Sequence, residues 1–188
     1  MHRRTLLLAS ASAAFVAACT TSRPETASDA ATRRRSINAA ANEALSRLYN
    51  QIDDSRSVVS RARGVLVFPR VVSAGFVVGG SYGEGVLRVG GEPAGYYSTT
   101  AASVGLLAGA ESKAVFFLFM TDDALRKFRE SSGWTAGVDA SVSMLRAGAS
   151  AAIDTQTASQ SVLGYVLTNE GLMANLSVDG TRIARLDL

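Results

Sequence analysis

The chain has 188 residues, 19 Lys plus Arg against 16 Asp plus Glu for a formal net charge of +3, and only one His and one Cys. His2 and Cys19 both fall in a stretch built like an export leader, which leaves the remainder of the chain without imidazole or thiol. Ser-His-Asp and Cys-His catalysis, His or Cys metal sites and disulfides are thereby excluded from the folded domain, and no cofactor or metal is expected there.

Arg3 and Arg4 precede Leu6, Leu7 and Leu8, and a run of small apolar residues continues to Val16-Ala17-Ala18-Cys19. This ending resembles the bacterial lipobox, which implies a signal peptide over 1–18, cleavage after Ala18 and acylation of Cys19. A twin arginine also occurs in Tat signals. The run is too short and Ala-rich for a membrane span, and the next apolar run, 114–120, is far shorter than the ~20 residues a spanning helix needs. Thr20 in place of Asp after the Cys resembles the outer-membrane sorting pattern, so the expected location is the periplasmic face of the outer membrane.

Without the leader, 17 basic side chains face 16 acidic ones. Residues 30–63 carry Arg33, Arg34, Arg35, Arg47, Arg56, Arg61 and Arg63 against Glu43, Asp53 and Asp54, a local charge of +4. A nucleic-acid binder would show a broader basic face, so nucleic acid is not an expected partner. Cys19 and the polar, small residues to Thr32 form an expected flexible tether over 19–32, with a reach on the order of 20 Å.

Ile37, Ala41, Ala44, Leu45, Leu48 and Ile52 recur at helical spacing, with Glu43, Arg47 and Asp54 opposite, which predicts an amphipathic helix over 36–53. A second turn or continuation reaches Ala62. A straight helix would bring Arg56 near the apolar stripe, which calls for a break near Asp54-Ser55 or an arginine that snorkels. From Gly64 onward, short runs rich in Val, Phe, Tyr and Leu are bounded by Gly, Pro, Asn or Asp. They predict strands at 65–68, 74–82, 85–89, 94–101, 104–110, 114–120, 135–144, 161–168, 172–178 and 182–186. Thr121 caps a short helix begun by Asp122 and Asp123, and another short helix is expected at 147–152. Gly90-Gly91, Asn169-Glu170-Gly171 and Asp179-Gly180 are turn signals, the last a hairpin dipeptide.

About ten short strands without βα alternation predict an α+β fold in one domain over 33–188. The N-terminal helix should pack on a strongly curved, mainly antiparallel sheet or small barrel, with one or two short helices besides.

The glycines of AGFVVGGSYGEG fit no phosphate-loop register, because position 88 is Arg88 and no Gly-Lys-Ser/Thr follows. Interleaved with Phe76, Val77, Val78 and Tyr82, they are expected at strand bends or bulges where two backbones come close. Glu84, Glu111, Asp139 and Asp154 are scattered, and Lys113 and Lys127 lack a Ser-x-x-Lys partner. An enzyme is therefore not expected. Phe116, Phe117 and Phe119 read as a core strand, because alternating positions there would face one interior, with an apolar acyl-chain pocket as the alternative. Trp134 suits either the core or a membrane interface. The basic segment is the most informative feature for function. Each Lys or Arg near an anionic bilayer is worth ~1 kcal/mol, so Arg33 to Arg35 would contribute about 3 kcal/mol at low salt; the alternative is a solvated charge run that keeps the tether extended or caps the first helix.

The order of Ala62-Arg63-Gly64-Val65-Leu66-Val67-Phe68-Pro69, Ala74-Gly75-Phe76 through Gly80, Tyr82-Gly83 and Gly85-Val86 resembles the SYLF domain. Pro93, Ser103-Val104-Gly105, Gly109-Ala110, Phe116 to Met120 with Thr121, Gly137-Val138-Asp139 and Gly171-Leu172-Met173-Ala174 continue the likeness to the C-terminus. The resemblance implies non-catalytic binding of phosphoinositides and other anionic lipids through a basic N-terminal segment, with actin binding in some eukaryotic members. Those members have Trp-Ser-x-Pro where this chain has Tyr96-Tyr97-Ser98-Thr99, and they lack a lipobox.

The expectation is a lipoprotein anchored through Cys19, whose Arg33, Arg34, Arg35, Arg47, Arg61, Arg63 and Arg70 contact an anionic phospholipid membrane. Phosphatidylglycerol or cardiolipin would stand in for phosphoinositide, and actin is not an expected partner in a bacterial envelope. An envelope scaffold with a protein partner and a lipid carrier with an internal apolar cavity remain as alternatives. Mass spectrometry of the mature N-terminus is expected to find acylated Cys19 as the first residue; an unmodified thiol there would remove the anchor.

Overall fold

The computed structural model describes residues 26–75, 78–104, 109–145, 160–168, 171, 172, 178 and 180–188. The leader, Cys19, residues 20–25 of the expected tether, the expected helix 147–152, Asn169-Glu170 of one expected turn and residues 173–177 of one expected strand lie outside them.

Helix α1 covers Ala27–Gln51 and so begins nine residues before the expected start. Residues 27–32 are not tether but helix, and the cause is local. Thr26 and Asp29 form a capping box in which the Asp29 N–H donates to Thr26 Oγ1 at 3.2 Å and the Thr26 N–H donates to Asp29 Oδ2 at 3.1 Å. Ala27, Ala30 and Ala31 behind that cap are the strongest helix formers. The predicted stripe of Ile37, Ala41, Ala44, Leu45 and Leu48 is buried, and each of the larger side chains gains about 1.5–3 kcal/mol from leaving water. The chain then breaks where Arg56 required it. Asp54 takes a left-handed φ of 54° and α2 follows over Ser55–Arg61. Buried Ser55 secures the elbow by donating its hydroxyl to the carbonyls of Ile52, at 2.6 Å, and Leu48, at 3.2 Å.

The strands are β1 Gly64–Gly75, β2 Val78–Val89, β3 Glu92–Val104, β4 Gly109–Phe119, β5 Trp134–Thr135, β6 Ser143–Met144, β7 Val162–Thr168, β8 Gly171–Leu172 and β9 Arg182–Leu186. They form one strongly curled half-barrel sheet in the order β5-β9-β3-β2-β1-β4-β7-β6, with β8 on β7. Every pairing is antiparallel except that of β6 with β7. The α+β class, the N-terminal helix and the curvature are as the sequence predicted.

Several boundaries differ. The expected strand 74–82 is divided, because Gly75 pairs with Gly79 across the antiparallel β1 and β2. Of the expected strand 104–110, Val104 ends β3 and residues 109–110 begin β4, while 105–108 lie outside the described residues. Of the expected strand 135–144 only Thr135, the end of β5, and Ser143–Met144, which form β6, are strand. Gly90 and Gly91, with φ of 61° and 90°, close the β2–β3 hairpin in the left-handed backbone that a two-residue turn requires. Asp179 of the expected Asp179-Gly180 turn also lies outside the described residues; the Gly180 N–H donates to the Ala136 carbonyl at 2.9 Å, and β9 beyond it pairs with β3 and β5.

Both faces of the sheet are covered, which gives two cores. On one, α1 and α2 lie over Val65, Val67, Val86, Phe116, Leu118 and Leu163. On the other, helix α3, Asp122–Glu130, supplies Leu125 and Phe128 against Leu66, Phe68, Phe117, Phe119 and Trp134. The three phenylalanines are core strand residues as expected: the alternating Phe117 and Phe119 share the α3-side interior, and Phe116, of the opposite parity, takes the α1 side. Residues 114 to 119 are all buried, as a continuous apolar run demands when a strand has water on neither side. Trp134 is 3% exposed, within an aromatic cluster whose ring centroids lie 5.7 Å from Phe128 and 5.8 Å from Phe117. It is a core residue, not an interfacial one. Thr121 caps α3 as predicted, accepting from the Ala124 N–H at 3.2 Å.

The glycine cluster faces a β-bulge. The register of β1 shifts against both neighbours between Val67 and Val71, and Phe68 and Val71, three residues apart, sit in the same core. Across from it, a Cβ on Gly85 would fall 2.3 Å from the Val67 carbonyl oxygen, and one on Gly83 would fall 2.7 Å from that of Arg70. Gly85→Ala is accordingly expected to cost about 1–3 kcal/mol in urea unfolding, while Gly80→Ala, whose nearest neighbour would be 3.8 Å away, changes stability by less than about 0.5 kcal/mol.

Candidate functional site

Arginines in succession on a helix advance by roughly 100° each, so Arg33, Arg34 and Arg35 cannot share a face. Arg33 turns to the sheet and forms a two-pronged ion pair with Glu84 on β2. Its Nε donates to Oε2 at 3.0 Å and its Nη2 to Oε1. Arg34 Nη1 donates to the Leu188 carbonyl at 2.9 Å. Arg35 is exposed, with a 3.3 Å contact from Nε to the Ala31 carbonyl. The triplet expected to act on a membrane together is thus split between fastening α1 to the sheet and facing solvent.

The remaining expected residues are exposed. Arg61 ends α2 near Tyr165, whose hydroxyl burial pushes up to about 12, with the Arg61 charge opposing the rise. Arg63 lies 3.6 Å from Asp122 in a pair whose side chains are 59% and 82% exposed, a geometry that contributes little. Arg47 and Arg70 are brought together. Both line a groove of about 860 Å³ between α1 and the sheet, with Ile37, Ala40, Ala114 and Leu167 as apolar lining and Glu43 and Glu84 as its acids.

Arg70 reaches this groove because of the bulge. Strict alternation from Leu66 and Phe68 would put residue 70 on the α3 side; the extra residue at Pro69-Arg70 returns it to the α1 side. Proline suits the position because it has no N–H to offer the ladder. Two residues on, Val72 pairs with Tyr82, and these apolar side chains are 42% and 49% exposed. The Tyr82 hydroxyl donates to Glu84 Oε1 at 2.8 Å, which connects the patch to the Arg33 ion pair.

Glu84 was legible only as one of several scattered carboxylates. Its place is set by period-two alternation along β2, which puts Tyr82, Glu84, Val86 and Arg88 on the α1 face, so an alternation count from Val86 could have found it. The Arg33 hydrogen bond holds the Glu84 carboxyl below its ordinary value, with Tyr82 assisting and burial opposing.

The site is thus a groove between α1 and the sheet, lined by Arg47, Arg70 and Lys113 with Glu43 and Glu84. Residues 100–187 match the family described as Ysc84, Las17-binding protein actin regulator. Protein YSC84 of Saccharomyces cerevisiae is 30% identical over 133 residues, 67% of this chain but 28% of the yeast protein. Together they support the SYLF family for this chain.

A carboxyl with a lowered pKa in the folded state contributes stability above its unfolded value and loses it as pH falls through the folded one. In urea unfolding at stepped pH, the chain should therefore lose stability below 4.5, the ordinary glutamate value, and Glu84→Gln should lose less over the same range. With side chains 34% and 24% exposed, solvent screens part of the effect.

Proposed function

We propose that this chain is a non-catalytic membrane-surface protein that binds anionic phospholipid headgroups on its α1 side. The observation that carries the reading is the placing of Arg47 and Arg70 at one groove beside the exposed pair Val72 and Tyr82. Cations next to an exposed aromatic and an aliphatic side chain are the composition of a peripheral membrane contact. Arg35 and Arg61 extend the positive surface along the helices, while Arg33 and Arg34 act by holding α1 in place.

Burial supports contact by headgroups rather than by insertion. The apolar stripe of α1 is already packed on the sheet, and no helix among the described residues is long and apolar enough to cross a membrane. The acyl group expected on Cys19 would supply the anchor, at the periplasmic face of the outer membrane, and the groove would supply lipid selectivity. Phosphatidylglycerol or cardiolipin is the headgroup source this location offers. The actin regulation in the matched family's description is not carried over, because an exported lipoprotein would not meet actin.

The test is co-sedimentation of the Cys19→Ser chain with vesicles, so that no acyl anchor contributes. Phosphatidylglycerol vesicles should bind it more tightly than phosphatidylcholine vesicles, and added salt should weaken the difference. Arg47→Gln with Arg70→Gln should reduce binding by about 2 kcal/mol, roughly thirtyfold. Equal binding to both vesicles, or no loss in the double variant, would sink the headgroup reading; retention of a specific envelope protein without vesicle binding would favour a scaffold.

A further inference from the structure

A second cavity, of about 310 Å³, lies at the other end of the helical arm, where the α1–α2 elbow passes over the β2–β3 hairpin. That volume is at the small end of ligand pockets, which run from about 300 to 1,000 Å³. Its walls are mainly apolar, with Leu45 and Tyr49 from α1, Val59 from α2, Ala62 just beyond it and Val65 from β1, and Ser60 as a small polar member. The glycine turn Gly90-Gly91 forms part of the rim and carries no side chain to cover it.

Arg88 is the one charged residue of this lining. Its Nη2 makes a long hydrogen bond, 3.4 Å, to the Asn38 carbonyl, and its Nε is buried with no partner. Among the described residues no acid forms an ion pair with it. Asn38 Oδ1 is buried and unpartnered as well, but a neutral amide could take one N–H and would leave the positive charge uncompensated. A second guanidinium is close by, since the Arg56 Cζ lies 4.4 Å from the centroid of the Tyr49 ring. Burial raises the Tyr49 pKa, and the charges of both Arg56 and Arg88 oppose that rise, which places both cations around this one phenol.

A guanidinium taken partly out of water is stable when an anion accompanies it. Apolar walls beside an uncompensated cation therefore describe the complement of a ligand with one negative group and a short apolar body. We propose that the cavity under the α1–α2 elbow binds a small carboxylate with an apolar tail, its carboxylate on Arg88 and its tail against Leu45, Val59 and Val65. The site is separate from the Arg47–Arg70 groove, shares no lining residue with it and does not rest on phospholipid binding.

The experiment is an NMR titration of the purified full chain with octanoate, octan-1-ol and acetate. Octanoate should produce saturable shifts at the Gly90 and Gly91 amides and the Arg88 Nε–H. Octan-1-ol, which keeps the tail and lacks the charge, should bind at least about tenfold more weakly, and acetate, which keeps the charge and lacks the tail, should bind more weakly too. Arg88→Gln should reduce octanoate binding to the octan-1-ol level while leaving vesicle co-sedimentation of the Cys19→Ser chain unchanged. If Arg88→Gln does not fold, Val59→Trp, which fills the cavity and keeps the cation, must abolish the octanoate shifts. Equal binding of octanoate and octan-1-ol, shifts mapping elsewhere, or octanoate binding that survives the folded variants would overturn the proposal. Acetate binding as tightly as octanoate would overturn it by leaving an anion site with no use for its apolar walls.

Discussion

The paired segments Val65 to Phe68 of β1 and Ala114 to Phe119 of β4 are apolar on both faces, and a sheet centre of that kind cannot leave either face in water. Most of the architecture answers this constraint. The helical arm covers one side with the stripe from Ile37 to Leu48, and α3 with Trp134 and its aromatic neighbours covers the other. Because α1 is committed to the sheet, its apolar face is not available to a bilayer. The helix that reads in sequence as a membrane-seeking amphipathic segment is, in the fold, a structural layer whose outer and flanking polar residues face the surroundings.

The same packing sorts the arginines. Those on the flanks of the buried stripe, Arg33 and Arg34, reach the sheet and the C-terminal strand region and are held there. Arg47 lies farther along the helix and opens onto the groove. The bulge at Pro69-Arg70 then adds a cation that regular alternation would have sent to the opposite core. It is accommodated by Gly83 and Gly85, which let the kinked backbone approach β2 closely. One local irregularity thus accounts for a glycine pattern, a proline in a strand and the position of a candidate binding residue.

The departure from the eukaryotic pattern at residues 96–99 has a structural counterpart. Tyr97 packs on Phe128 in the α3-side core with ring centroids 4.9 Å apart, and the Tyr96 hydroxyl accepts from Asn38 Nδ2 at 2.8 Å. The adjacent tyrosines therefore serve opposite faces of β3, one anchoring the aromatic cluster and one tying the sheet to α1. Asn38 in turn supplies the carbonyl for Arg88, so this tie also borders the elbow cavity.

The elements whose signal is local were legible in the chain itself. The helical stripe, the break at Asp54-Ser55, the Thr121 cap, the Gly90-Gly91 turn and strand 182–186 each depend on neighbours a few residues away. The early start of α1 was also local, in the Thr26–Asp29 capping box, but the surrounding composition suggested a tether. Which helix covered each face of the phenylalanine strand, and which arginines met, were not legible. Those outcomes depend on sheet order, and no periodicity reports that Glu84 will stand opposite Arg33, 51 residues away. Sequence alone determined the α+β class, the lack of His and Cys chemistry in the domain and a basic segment ahead of the sheet. Tertiary structure decided which of those charges are neutralised and which line a cavity, because an ion pair or a groove exists only once distant strands and helices have been brought into register.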